Sequence, residues 1–200
     1  MGIAVAAGIV LLSPLQRNES SRISIKRATD EAAAHIDLKP RETTVEGMLQ
    51  MSRPSDLAGD LSTPNYQNKR IAPFETTVWK VKAKITEIIL RPDGDFYMTI
   101  ESEGGARTVV EVPDPKLCPD SKVLKQLQKL RAMLEAKFHP SAEPQKVDLK
   151  AQITGIGFFG YQGRRTPPPA TTGVTTPPTP ARPQTNGARL MPGLDIKFDK

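Results

Sequence analysis

From Val78 onward, hydrophobic and polar residues alternate with a period of two. In VWKVKAKIT, Trp79, Val81, Ala83 and Ile85 share one parity while Lys80, Lys82, Lys84 and Thr86 share the other. That pattern sends one face of a strand into a core and the other to water. The alternation slips at Glu87 and resumes over Ile88, Ile89 and Leu90, which predicts a bulge bending one long strand. Asp93-Gly94 predicts a tight turn. Phe96, Met98 and Ile100, alternating with Tyr97, Thr99 and Glu101, then predict a second strand. Glu103-Gly104-Gly105 turns the chain into a third, in which Thr108, Val110 and Val112 alternate with Val109 and Glu111 until Pro113 and Pro115 remove ladder donors.

The period then changes. Val123, Leu124, Leu127, Leu130 and Leu134 form a helical stripe, with Asp120 or Ser121 available as a cap and Pro140 barring continuation past His139. Val147, Leu149, Ala151 and Ile153 predict a fourth strand, in which Gly155 and Gly157 mark a bend or the close approach of another backbone. Leu194, Ile196 and Phe198, alternating with Asp195, Lys197 and Asp199, predict a fifth. Three antiparallel strands, a helix and two more strands is the element order of the five-stranded OB barrel, so the fold class expected is mostly β with one helix between strands three and four. An open α+β sheet backed by the helix is the rival. The predicted interior is Trp79, Val81, Ala83, Ile85, Phe96, Met98, Ile100, Val110, Leu149, Ile153 and Ile196, covered at one end by Leu124, Leu127 and Leu130.

Outside this core the pattern fades. Ile3 to Leu15 has no charge over thirteen positions, which matches the hydrophobic core of an export signal and falls short of the roughly 20 residues of a membrane span. No Lys or Arg precedes it and no clear cleavage site follows, and a packed N-terminal helix is the alternative. Residues 1–16 are therefore read as a signal or anchor and 17–70 as a tether with short elements laid on the domain. In that tether nine basic residues face eight carboxylates, so no basic arm forms. Residues 71–200 make the barrel, interrupted by a Pro/Thr-rich loop at 165–185. Seven of the seventeen residues from Pro167 to Pro183 are proline, a composition that extends rather than pairs.

The charge changes this picture little: 28 Lys and Arg against 22 Asp and Glu give +6 over 200 residues, a modest excess that names no partner. One cysteine, Cys118, and two histidines, His35 and His139, leave no disulfide scaffold and no ordinary zinc ligand set. No cofactor and no metal is expected.

Four stretches, DGDFY (Asp93 to Tyr97), EVPDPKLC (Glu111 to Cys118), GIGFFG (Gly155 to Gly160) and NGARLMPGLDIKF (Asn186 to Phe198), lie in this order along the chain. Together they resemble a family of uncharacterised bacterial exported proteins. Members of that family carry a DGD-aromatic-His motif, a proline-bracketed cysteine, a G-x-GFFD motif and an N-G...ELHP-x-L-x-I ending. Tyr97 here stands in place of the family's His, Gly160 in place of its Asp, and Arg189-Leu190-Met191-Pro192 in place of ELHP. The resemblance implies an exported barrel and carries no known activity.

Asp93 and Asp95 form D-x-D, which offers two oxygens to a hard cation such as Ca²⁺. The other acids sought along the hairpin, Glu101 and Glu103, lie at its far end, so the pair reads as turn chemistry. Asp93, Asp95 and Glu111 also supply carboxylates for a hydrolase, and Cys118 with His139 a nucleophile and base. Sheet composition and a buried structural thiol account for both more simply. The candidate binding residues are Lys80, Lys82 and Lys84 on the outer face of the first strand, Tyr97 as the one aromatic placed outward, and Arg164 and Arg165 before the proline run. The expectation is a non-catalytic OB-like binding module outside the cytoplasm, its partner an unknown protein or an anionic polymer, with membrane contact only through the N-terminal segment. A single-stranded nucleic-acid binder is second and a degenerate hydrolase third.

Overall fold

A computed structural model describes residues 22–57, 64–160 and 186–199. Ile3 to Leu15, Arg164, Arg165 and Pro167 to Pro183 lie outside these. The chain is mostly β, with a few helices. In order, the elements are α1 (Ile23–Arg27), β1 (Arg41–Glu42), α2 (Val45–Leu49), β2 (Val78–Leu90), β3 (Phe96–Glu101), β4 (Arg107–Val112), α3 (Leu124–Phe138), β5 (Gln145–Phe159) and β6 (Ala188–Phe198), with short 3₁₀ turns between some of them.

The six strands form one sheet in the order β1-β2-β3-β4-β6-β5, and β2 pairs with β5 as well. The strand predicted first is β2. It runs antiparallel to β3 on one side and to β5 on the other, and both registers shift between Ile85 and Glu87, where the alternation slips in the sequence. The β4–β6 pairing is parallel and rests on one register pair, Val110↔Leu190. At the other edge β1 lies parallel to the start of β2, where Thr43 N donates to Lys80 O at 3.0 Å.

Parity places the core. Val81, Ile85, Phe96, Met98, Ile100, Val110 and Ile153 are each at most 1% exposed, and Leu127, Leu130 and Leu134 of α3 are buried with them. Two predicted core residues differ. Leu149 is only half-buried because β6 ends opposite Ala151, which leaves the first half of β5 paired with β2 alone. Leu124 is half-buried as the first residue of α3. The helix cap also differs: Val123 precedes the first turn without a side-chain cap, while buried Ser121 accepts from Val123 N at 3.4 Å.

The close approach expected at Gly155 and Gly157 is present. A Cβ on Gly157 would collide with the Phe74 carbonyl oxygen and lie 2.9 Å from Trp79 Nε1, and one on Gly155 would lie 2.9 Å from Leu190 Cβ. The absence of side chains there lets Trp79 Nε1 donate to Phe74 O at 2.9 Å.

The segment read as a tether is part of the fold where it is described. Ile25, Ala28, Val45, Met48 and Leu57 are buried in the same core. Two buried ion pairs hold it, one to Glu75 beyond the segment and one within it. Arg22 meets Glu75 through both guanidinium nitrogens at 2.8 and 2.6 Å, and Arg70 meets Asp30 at 3.0 and 2.6 Å. Each guanidinium also donates to main-chain carbonyls, Arg22 to Tyr66 and Lys69, Arg70 to Ile25 and Glu75, so buried charge and buried backbone are satisfied together.

Candidate functional site

The carboxylates of the D-x-D turn meet two side chains that the hairpin does not contain. Gly94, at φ +83°, closes the turn, and its N–H donates to Arg91 O at 2.9 Å. Asp93 Oδ1 then accepts from Asp95 N at 3.2 Å, and Asp95 Oδ1 accepts from Asp114 N at 3.0 Å. Asp95 thereby ties the hairpin to the segment leaving β4. Glu111 stands directly across from Tyr97 in the β3–β4 register, on the outward parity, yet is fully buried, with Lys26 of α1 in contact.

From α1 the Lys26 ammonium enters the group, 3.4 Å from Asp93 Oδ2, 3.3 Å from Asp95 Oδ2 and in contact with Glu111 Oε1. Its side chain is 6% exposed, Asp95 and Glu111 are closed to solvent, and Asp93, at 34%, is the open side. Three carboxylates thus share one ammonium. Burial pushes the Asp95 carboxyl above the ordinary aspartate value, an effect that Lys26 opposes but does not cancel.

Tyr97, half-buried, lies beside this group, with Lys26 Nζ 5.8 Å and Arg91 Cζ 5.2 Å from its ring centre. It is not brought together with the lysine ladder. Tyr97 pairs with Ile89 and Glu101 pairs with Lys84, so five residues of β2, roughly 16 Å, separate them. The ladder is itself partnered: Lys80 meets Glu42 of β1 at 2.7 Å and Lys84 meets Asp148 of β5 at 3.4 Å, with exposed Lys82 between.

Beside Lys82 and Lys84 a groove of about 530 Å³ runs past Glu46, Ser102, Glu103 and Lys150. Its walls carry both signs of charge. Ser102 donates to Glu46 and so holds that carboxyl below the usual glutamate range, and Lys150 meets Glu103 at 3.3 Å.

The Cys118–His139 pair does not assemble. The Cys118 thiol donates to Asp114 O at 3.2 Å near the start of α3, and burial pushes its pKa up, away from the thiolate a nucleophile needs. His139 caps the opposite end of α3, a helix roughly 22 Å long.

Lys26 was not legible as a site residue, because no local pattern says that α1 brings it to Glu111. Glu111 had one signal, an acid on the outward parity opposite an aromatic. Among the described residues no helix is long and apolar enough to cross a membrane. Compared with protein-family models, curated proteins and solved structures, the chain matches none.

Proposed function

We propose that this chain is a non-catalytic OB-like binding module that works outside the cytoplasm and takes a polypeptide partner along the groove beside Lys82 and Lys84. Three features support the barrel reading: the order β2-β3-β4-β6-β5, the return pairing of β2 with β5, and the helix between the third and fourth of these strands in the chain. The apolar run Ile3 to Leu15 and the resemblance to exported proteins support the location.

The groove's mixed lining carries the choice of ligand. Lys82, Lys84 and Lys150 face Glu46, Glu101, Glu103 and Asp199 across it, a pattern that repels a uniformly charged polymer and suits the alternating charges of a protein surface. Nucleic acid is disfavoured by the same lining, since phosphate neutralisation needs basic side chains that carboxylates do not already hold. A hydrolase is disfavoured by Lys26, which occupies the only three-carboxylate cluster among the described residues.

The test is a photo-crosslinking residue at Glu103, whose side chain is 92% exposed, in the protein expressed in its own host. A polypeptide adduct absent from a control at exposed Lys122 is the expected outcome. A nucleic-acid adduct, or none above the control, overturns the reading.

A further inference from the structure

We propose that Asp93, Asp95 and Glu111 form a binding site for a hard divalent cation of the calcium type, with the Lys26 ammonium as the alternative occupant. The inference stands apart from the groove and its partner.

The D-x-D turn alone would be a surface loop. Glu111 makes it more, arriving from a different strand, fully buried and aimed into the turn. Glu111 Oε2 has no hydrogen-bond partner, and Glu111 Oε1 and Asp95 Oδ2 meet only the Lys26 ammonium. A buried carboxylate oxygen without a donor is costly, and the ordinary solution is a donor or an ion. Here the only counter-charge in contact is one ammonium, which leaves a charge of −2 when all three acids are ionised; a divalent ion in its place would leave −1.

The dimensions fit. One ligand oxygen from each of the three residues lies within 4.8 Å of the others. Oxygens bound about 2.4 Å from a single calcium ion are at most about 4.8 Å apart, and the three meet that limit. Asp93 is the partly open side, by which an ion enters and waters complete its shell. Lys26 already holds a cation at that place, within 3.3–3.4 Å of both aspartates. Arg91 lies beside the Tyr97 ring and Asp114 beside Asp95, charges of opposite sign, so binding of an ion requires the Lys26 ammonium to withdraw. The site therefore belongs to the weak class, with dissociation constants of about 0.1–1 mM, the range of extracellular calcium modules.

The experiment is calorimetric titration of the full chain with calcium chloride at constant ionic strength. Binding of one ion in that range is expected, tightened at least tenfold by Lys26→Met and weakened at least tenfold by Asp93→Asn. Asp93 is chosen because its side chain is one-third exposed, so its replacement leaves the fold intact. Absence of binding in the native chain and in Lys26→Met, both with native circular dichroism, overturns the site. Equal affinity in Asp93→Asn and the native chain does so too. If Lys26→Met fails to fold, the comparison of the native chain with Asp93→Asn decides alone.

Discussion

Arg22 and Glu75 meet with side chains 1% and 0% exposed, and Glu75 also accepts from Ile71 N and Phe159 N, both at 2.8 Å. Removing one partner leaves a buried charge uncompensated, so Glu75→Ala should lower stability by about 3–5 kcal/mol in urea unfolding. Asp95 governs a pH effect of definite sign. Its folded-state pKa is raised above 3.8, so between 3.8 and the raised value the native state holds more protons than the unfolded chain, and this group makes stability fall as pH rises through that window. Asp95→Asn should remove the effect: the variant gains on the native chain at neutral pH, and the gain shrinks as pH falls toward 3.8. Urea midpoints at a series of pH values check this, and parallel curves for the two proteins would refute it. Asp95 was visible in the sequence as half of D-x-D, but its buried partners were not, and Glu75 was not visible at all. Glu75 sits in a stretch without periodicity, and the partners of Asp95 come from α1 and from beyond β4.

At the scale of elements the sequence was far more legible, because parity is a local signal. The thirteen residues of β2, the slip at Glu87 and the bounds of β3 could all be read from which residues alternate. What parity missed lies where burial comes from something other than a sheet face. Ile25 and Met48 sit in helices of five residues, too short to show a stripe. Glu111 obeys outward parity and is buried all the same, in contact with Lys26, a residue distant in sequence. Gly157 was legible for the reason the structure bears out, the close approach of Phe74. Gly157→Ala must push the Phe74 carbonyl away and break the Trp79 hydrogen bond. A loss of about 1–3 kcal/mol is expected, with a change in tryptophan fluorescence that Gly105→Ala, strained by its own φ of +81° but meeting nothing within 4 Å, would not give.

For the whole molecule, the pairing of Lys80 with Glu42 and Lys84 with Asp148 predicts that a fluorescent oligo-dT does not bind with sub-micromolar affinity at about 150 mM salt. Such binding, lost in Tyr97→Ala, would put the nucleic-acid reading first. One guanidinium has a further consequence at this scale. Arg53 donates to Gly160 O at 3.0 Å and to Asn186 O at 3.3 Å, while Gly160 N donates to Gly187 O at 2.8 Å, so Gly160 and Asn186 are clasped together at a single point of the fold. Changing the length of a loop whose ends are fixed in this way changes its closure entropy only logarithmically. Replacing 167–183 with a short Gly-Ser turn should therefore leave the thermal midpoint within about 5 °C. The same clasp makes this position a port, where evolution or an engineer can graft a foreign segment and keep the host fold.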